Sequence, residues 1–159
     1  MAETRRERDA AGRPKNARPR DELGRPLPRG ASNAMAEEPP AATPEEALER
    51  GIEHFNAGRF FQAHEAWEEG WHPAPEPERD FWQGLTQVAV GLTHRLRGNA
   101  HGSATLLSRG ALKLRKYGDV HMGVPAARIA AFAEEAADRV ERDGVEAPLE
   151  IPTIERENV

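Results

Sequence analysis

The stretch Phe81-Trp82-Gln83-Gly84-Leu85-Thr86-Gln87-Val88-Ala89-Val90-Gly91-Leu92-Thr93 contains no charged side chain. Read at about 100° per residue, Phe81, Leu85, Val88, Leu92 and then Leu96 form one apolar stripe. Gln83, Gln87, Val90 and His94 form a narrow stripe almost opposite. A helix without charge around its circumference is buried on most sides, so other helices must pack around it. The run is too short to span a bilayer, which takes about 20 apolar residues. The expectation is an all-α fold with this helix inside.

The chain on either side agrees. Upstream, His72-Pro73-Ala74-Pro75-Glu76-Pro77 interrupts the backbone, and a helix is expected over 59–71 before it. An earlier helix starts at Thr43-Pro44-Glu45-Glu46, which has a hydroxyl cap, Pro at the first helical position and Glu three residues after the cap. It ends near Asn56, before Ala57-Gly58. Downstream of the helix over 78–96, Gly98-Asn99 makes a turn, and a helix over 100–116 is stopped by Gly118. Pro125 opens a last helix that ends at Asp143-Gly144. No stretch alternates in the manner of a strand. The reading is a compact bundle of about five helices over 43–144, built from helical hairpins. Residues 145–159 read as a loose C-terminal tail.

Residues 1–42 read as an extended, basic, Pro- and Arg-rich arm, because Pro14, Pro19, Pro26, Pro28, Pro39 and Pro40 forbid a continuous helix. Arg8-Asp9-Ala10-Ala11-Gly12-Arg13-Pro14 is echoed by Arg20-Asp21-Glu22-Leu23-Gly24-Arg25-Pro26. Both a disordered charged tail and a specific partner-binding strap fit that pattern. Residues 1–34 hold nine Arg and Lys against five Asp and Glu, whereas the remainder holds 13 against 22. An acidic body does not suit nucleic acid, so only the arm is placed to contact phosphate. The chain has no Cys, which excludes disulfides, thiolate nucleophiles and Cys-based zinc sites. With no signal-like apolar segment and no membrane span, a cytoplasmic location is expected.

His64-Glu65-Ala66-Trp67-Glu68 carries the chemistry. At helical spacing His64 and Glu68 stand on one face, four residues apart. Phe60, Ala63, Trp67 and Trp71 share that face, and Glu65 turns with Glu69 and Gln62 toward solvent. A half-buried carboxylate must be paired, protonated or bound to a cation. A pocket is therefore expected between this helix and the next, lined by His64, Glu68, Gln83, Gln87 and His94 and walled by Phe60, Trp67 and Trp71. Asn99 either caps the following helix or reaches the pocket. Two His and a Glu are candidate ligands for a divalent transition metal, with positions left open for water. The competing reading is a polar network in which His64–Glu68 is a helix pair and His94 a satisfied core histidine. Ser103, Gly102, Ala104, Ser108, Gly110 and Ala111 read as small residues permitting close helix approach.

Gly51, Gly58, Phe60, Ala63, Trp67 and Pro75 follow one another as in a tetratricopeptide helical hairpin. Gly91, Gly98 and Ala104 repeat part of that order at a period longer than the about 34 residues of that family. A closer resemblance covers residues 47–114. Phe55-Asn56-Ala57-Gly58-Arg59-Phe60, Ala63-His64-Glu65-Ala66-Trp67-Glu68 with Trp71, and Gln83-Gly84-Leu85-Thr86-Gln87-Val88-Ala89 all resemble the bacterial family called domain of unknown function 309. So do His94 and Gly98-Asn99-Ala100-His101-Gly102-Ser103-Ala104, with Ser103 a departure that touches packing only. The arm over 18–28 looks like the leader of actinobacterial members. The resemblance implies a compact helical bundle, and the family is described as predicted metal-dependent hydrolases.

Two functions follow as expectations. In a metal-dependent hydrolase, His64, Glu68 and His94 hold the ion, which activates water. Glu65 is then the candidate base, and Gln87 or Gln83 orients water or substrate. In a non-enzymatic, tetratricopeptide-like binding module, the same cluster reads a small molecule or a partner protein, and the oligomeric state stays open.

Overall fold

The computed structural model describes residues 38–157. The arm over 1–37, with its echoed motif and basic charge, lies outside the described residues, as do residues 158–159. Five α-helices follow in order. They are α1 (Pro44–Asn56), α2 (Phe60–Trp71), α3 (Glu76–Leu96), α4 (Ala100–Leu114) and α5 (Ala126–Asp143), with a 3₁₀ turn at Arg115–Tyr117 after α4. No β-strand occurs among the described residues, only an isolated bridge between His121 and Val124.

Local chemistry sets most of the ends. The Thr43 hydroxyl accepts from the Glu46 amide at 3.1 Å, and Pro44 opens α1. Gly58 and Gly98 adopt positive φ in the turns after α1 and α3, where a side chain would be strained. The start of α3 departs from the sequence reading. The helix begins at Glu76 rather than Glu78, because Pro77 falls in its first turn and needs no amide partner there.

Each helix packs on its neighbour in the chain, so α3 lies between α2 and α4. The pairs are antiparallel. Leu107 faces Gly91, while Leu114 and Gly110 face Gly84, so α4 descends as α3 rises. Large side chains fill the spaces that glycines leave. Trp67 of α2 occupies the position where Gly51 of α1 would carry a Cβ, and Trp82 of α3 does the same at Gly70 of α2. Both indoles are buried, together with Phe55, Phe81, Leu85, Leu92, Leu107 and Ile129. The α3 hydroxyls of Thr86 and Thr93 are buried too. They donate to the carbonyls of Trp82 and Ala89 at 2.8 and 2.9 Å, so burial leaves no hydroxyl unsatisfied there.

The charge-free helix is indeed buried along most of its surface, from Phe81 to Thr93. Two details differ from expectation. Leu96 is 42% exposed, because it lies in the last turn beyond the overlap with its neighbours. The stripe of Gln83, Gln87, Val90 and His94, expected to be buried, is only half-buried. It is the open edge of α3.

Residues 145–157, expected to be loose, form an ordered strap without helix. Ala147 and Ile154 are buried. Asn56 of α1 clasps Ile154 with two bonds, its Nδ2 donating to the Ile154 carbonyl at 2.9 Å and its Oδ1 accepting from the Ile154 amide at 2.8 Å. Arg156 donates to the Met122 carbonyl at 3.0 Å and pairs with Glu49 at 3.1 Å, and the Glu157 amide donates to the Gly123 carbonyl at 2.7 Å. The strap ties α1 to the turn before α5, and helical periodicity carries no sign of such a segment. At the other end, the Ala41 amide donates to Glu69 at 2.7 Å, which docks the approach to α1 on α2.

Two substitutions test this packing. A Cβ at Gly110 would stand 2.8 Å from the Gly84 carbonyl oxygen and 3.0 Å from the Val88 amide, which is backbone that cannot move aside. Gly110→Ala should lower stability in chemical denaturation by about 1–3 kcal/mol. Asn56→Ala should speed hydrogen exchange at the Ile154 amide and cost about 1–3 kcal/mol, as two partly buried bonds to one residue are lost.

Candidate functional site

His64 lies on α2 and is half-buried. Its Nδ1 stands 2.6 Å from the Phe61 carbonyl oxygen one turn earlier. A carbonyl only accepts, so Nδ1 carries a proton. Glu68 Oε1 is 3.7 Å from the His64 Nε2, within ion-pair range but beyond a hydrogen bond. The Phe61 ring lies 4.7 Å from the imidazole, and the Arg97 guanidinium, from the end of α3, stands over Phe61 at 5.6 Å. Antiparallel packing explains the meeting, since it sets the first turn of α2 beside the last of α3.

His94 is held differently. Asn99 caps α4 by accepting the Gly102 amide on its Oδ1 at 3.0 Å, which turns its Nδ2 toward His94 Nδ1 at 3.1 Å. An amide NH₂ donates, so His94 Nδ1 is the acceptor and its proton sits on Nε2. The two imidazoles thus take opposite roles at Nδ1, a donor in His64 and an acceptor in His94. Burial, and then the positive charge of Arg97, push the His94 pKa below its ordinary value.

The remaining residues of the sequence reading divide into two groups. Gln83 accepts a hydrogen bond from Lys113 of α4, and Lys113 also lies 4.0 Å from Asp80. The Gln87 Oε1 is buried with no hydrogen-bond partner among the described residues. Thus the open edge of α3 finds partners on α4 for Gln83 and at the α3–α4 turn for His94, not on α2 as expected. Phe60 and Trp67 belong to the core between α1 and α2. Phe60 packs edge-on against Phe55 at 5.2 Å, and the Trp67 Nε1–H donates to the Leu48 carbonyl at 3.3 Å. They buttress the helix that carries His64 rather than wall a pocket. Trp71 is half-buried and stacks on His72. Glu65 is exposed on α2, as the helical wheel indicates.

Among the described residues, no group of three or more His, Cys, Asp or Glu side chains could hold a metal ion. His64, Glu68 and His94 therefore do not fit a three-ligand centre. For His94 there is a chemical reason, because its Nδ1 lone pair is taken by Asn99 and its Nε2 bears the proton. His64 and Glu68 alone remain as an i,i+4 pair.

The sequence reading missed Phe61 and Arg97, which join the two histidines into one neighbourhood. An aromatic at the start of one helix and a cation at the end of the next carry no local signal of contact. It also left His121 without a role. In the fold, His121 Nε2 pairs with Glu78 of α3, and its ring lies 4.7 Å from both Phe81 and Tyr117. Tyr117 donates its hydroxyl to the Pro77 carbonyl at 2.9 Å, and its burial raises its pKa. This second cluster anchors the turn that receives the C-terminal strap.

The fold and site together define a small all-α protein of stacked antiparallel hairpins with one polar edge. Residues 48–106 match the family model of a domain of unknown function (DUF309). The matched segment runs from Leu48 in α1 to Leu106 in α4, so it contains His64, Glu68, Gln83, Gln87, His94, Arg97 and Asn99. No curated protein and no solved structure matches the chain.

The electrostatics of His94 give a test. Arg97→Gln removes a positive neighbour, so the His94 pKa followed by NMR should rise toward its ordinary value. A His whose folded pKa is depressed is protonated more readily in the unfolded chain. Stability should therefore fall as pH drops below about 6.5 toward the depressed value, and His94→Gln should flatten that slope.

Proposed function

We propose that this protein is a non-enzymatic helical-hairpin binding module, whose polar edge reads a small polar molecule or a partner protein. The observation that carries this reading is the opposite commitment of the two imidazoles. His64 donates at Nδ1, whereas His94 accepts at Nδ1 and keeps a donor at Nε2, with the Arg97 cation and the Glu68 carboxylate nearby. Such a mixed set of donors and acceptors suits recognition, which needs fixed hydrogen-bond directions more than one converging point. The buried, unpartnered Gln87 Oε1 adds an acceptor on the same helix edge as His94.

A second reading has one observation in its favour. A histidine that ligates a metal donates its other ring N–H to a carbonyl or carboxylate, which is the relation of His64 Nδ1 to Phe61. In that reading His64 Nε2 and Glu68 supply two ligands to a divalent transition metal, which would supply activated water to a hydrolase. Glu65 is the nearest further carboxylate in sequence, but it faces solvent.

One set of measurements separates the readings. Protein purified without a metal-affinity step should contain less than stoichiometric transition metal by elemental analysis. Zinc titrated calorimetrically should bind no better to the wild type than to His64→Ala. A thermal-shift screen of polar metabolites and peptides should yield a saturable ligand, bound about tenfold more weakly by Glu68→Gln or Arg97→Gln. Stoichiometric metal that disappears in His64→Ala would overturn the binding-module reading in favour of the metal site.

A further inference from the structure

A cleft of about 450 Å³ lies between α5 and the C-terminal strap. It shares no residue with the polar edge of α3. Arg128, Phe132 and Arg139 line it from the helix, and Leu149, Glu150 and Ile151 from the strap. Its volume falls in the usual range for small-ligand sites. The strap is secured on both sides of the cleft. Arg139 Nη1 donates to the Pro148 carbonyl at 3.1 Å, and Asn56 clasps Ile154. The opening is therefore built into the fold. No backbone amide of residues 149–153 donates to a backbone carbonyl among the described residues, so amides along this wall remain for a ligand.

The charges in the cleft are what point to a ligand. Arg139 is already used, since it pairs with Glu135 at 2.8 Å as well as holding Pro148. Arg128 on the helix wall and Glu150 on the strap wall make no ion pair with any described residue. Two unmatched charges of opposite sign thus line the cleft together with the half-buried apolar side chains of Phe132, Leu149 and Ile151. A simple anion would leave Glu150 unmatched, and a simple cation would leave Arg128 so. A polyanion such as a nucleotide would meet Glu135 and Glu150 as like charges.

We infer that the cleft between α5 and the strap binds a zwitterion with an apolar body, meaning a free apolar amino acid or a short apolar peptide. Its carboxylate takes the planar guanidinium fork of Arg128. Its ammonium takes Glu150, and its side chain covers Phe132, Leu149 and Ile151. The volume admits a dipeptide as readily as a single amino acid.

The test uses the full chain and two probes, L-phenylalanine and L-leucyl-L-leucine, followed by amide NMR shifts. The expected result is saturable binding of at least one probe, with shifts centred on Phe132, Leu149 and Ile151. N-acetylation or C-terminal amidation of the probe should each weaken binding by about fivefold or more, as should Arg128→Gln and Glu150→Gln. Both side chains are exposed, so these variants should melt with the wild type, and His64→Ala should bind the probe unchanged. The inference is overturned if neither probe gives saturable shifts into the tens of millimolar. It is equally overturned if the N-acetylated and amidated forms bind as well as the parent, or if both charge variants retain full affinity. Loss of binding in His64→Ala would overturn the independence of the two sites.

Discussion

The close approach of neighbouring helices at glycine is the constraint on which the rest of this structure depends. Trp82 can lie against α2 only because Gly70 has no side chain, and Trp67 against α1 only because Gly51 has none. On the other flank of α3, Gly84, Gly91 and Gly110 let the backbones of α3 and α4 come near contact. Dispersion and burial of apolar surface grow with such proximity, so α3 is gripped from both sides. Its remaining side then becomes a polar edge of fixed position.

That position sets the chemistry of the candidate site. The α2–α3 approach brings Phe61 beneath Arg97, and the tight turn after α3 brings Asn99 onto His94. The cap of α4 and the tautomer of His94 are therefore one arrangement. The Asn99 oxygen is needed by the Gly102 amide, so its nitrogen must face the imidazole. His64 is set by a shorter-range rule, since its Nδ1 finds the carbonyl one turn back on its own helix. Two histidines in one neighbourhood thus acquire opposite hydrogen-bonding characters from purely local demands. The C-terminal strap adds a second built surface, because clasping Ile154 and Pro148 leaves a cleft over α5 between the two anchors.

Much of the fold was legible in the chain. The charge-free run from Phe81 to Thr93 required a helix packed on most sides, and the Thr43-Pro44 start, Gly58 and Gly98 marked ends that the structure keeps. The i,i+4 relation of His64 and Glu68 and the outward turn of Glu65 also followed from helical geometry, whereas for Asn99 both a cap and a place in the pocket stayed open. The assembly of the site did not follow from that geometry. Trp67 shares a helical face with His64 in projection, but a wheel does not say which neighbour each part of the face meets, and Trp67 goes to α1. Gln83 was matched to α2 by adjacency, whereas a long lysine from α4 reaches it. The strap was unreadable because its order comes from Asn56 and Met122, distant in sequence, and not from periodicity.

By itself, then, the sequence determined the helices and their order. Those depend on spacing and capping within a few residues of chain. Only the tertiary structure decided which polar groups meet. It placed Arg97 over Phe61, turned Asn99 onto His94, and opened a cleft beside the strap. Hydrogen-bond and ion-pair partners are chosen over distances of a few ångströms, and helix crossing and the paths of the connecting segments fix those distances.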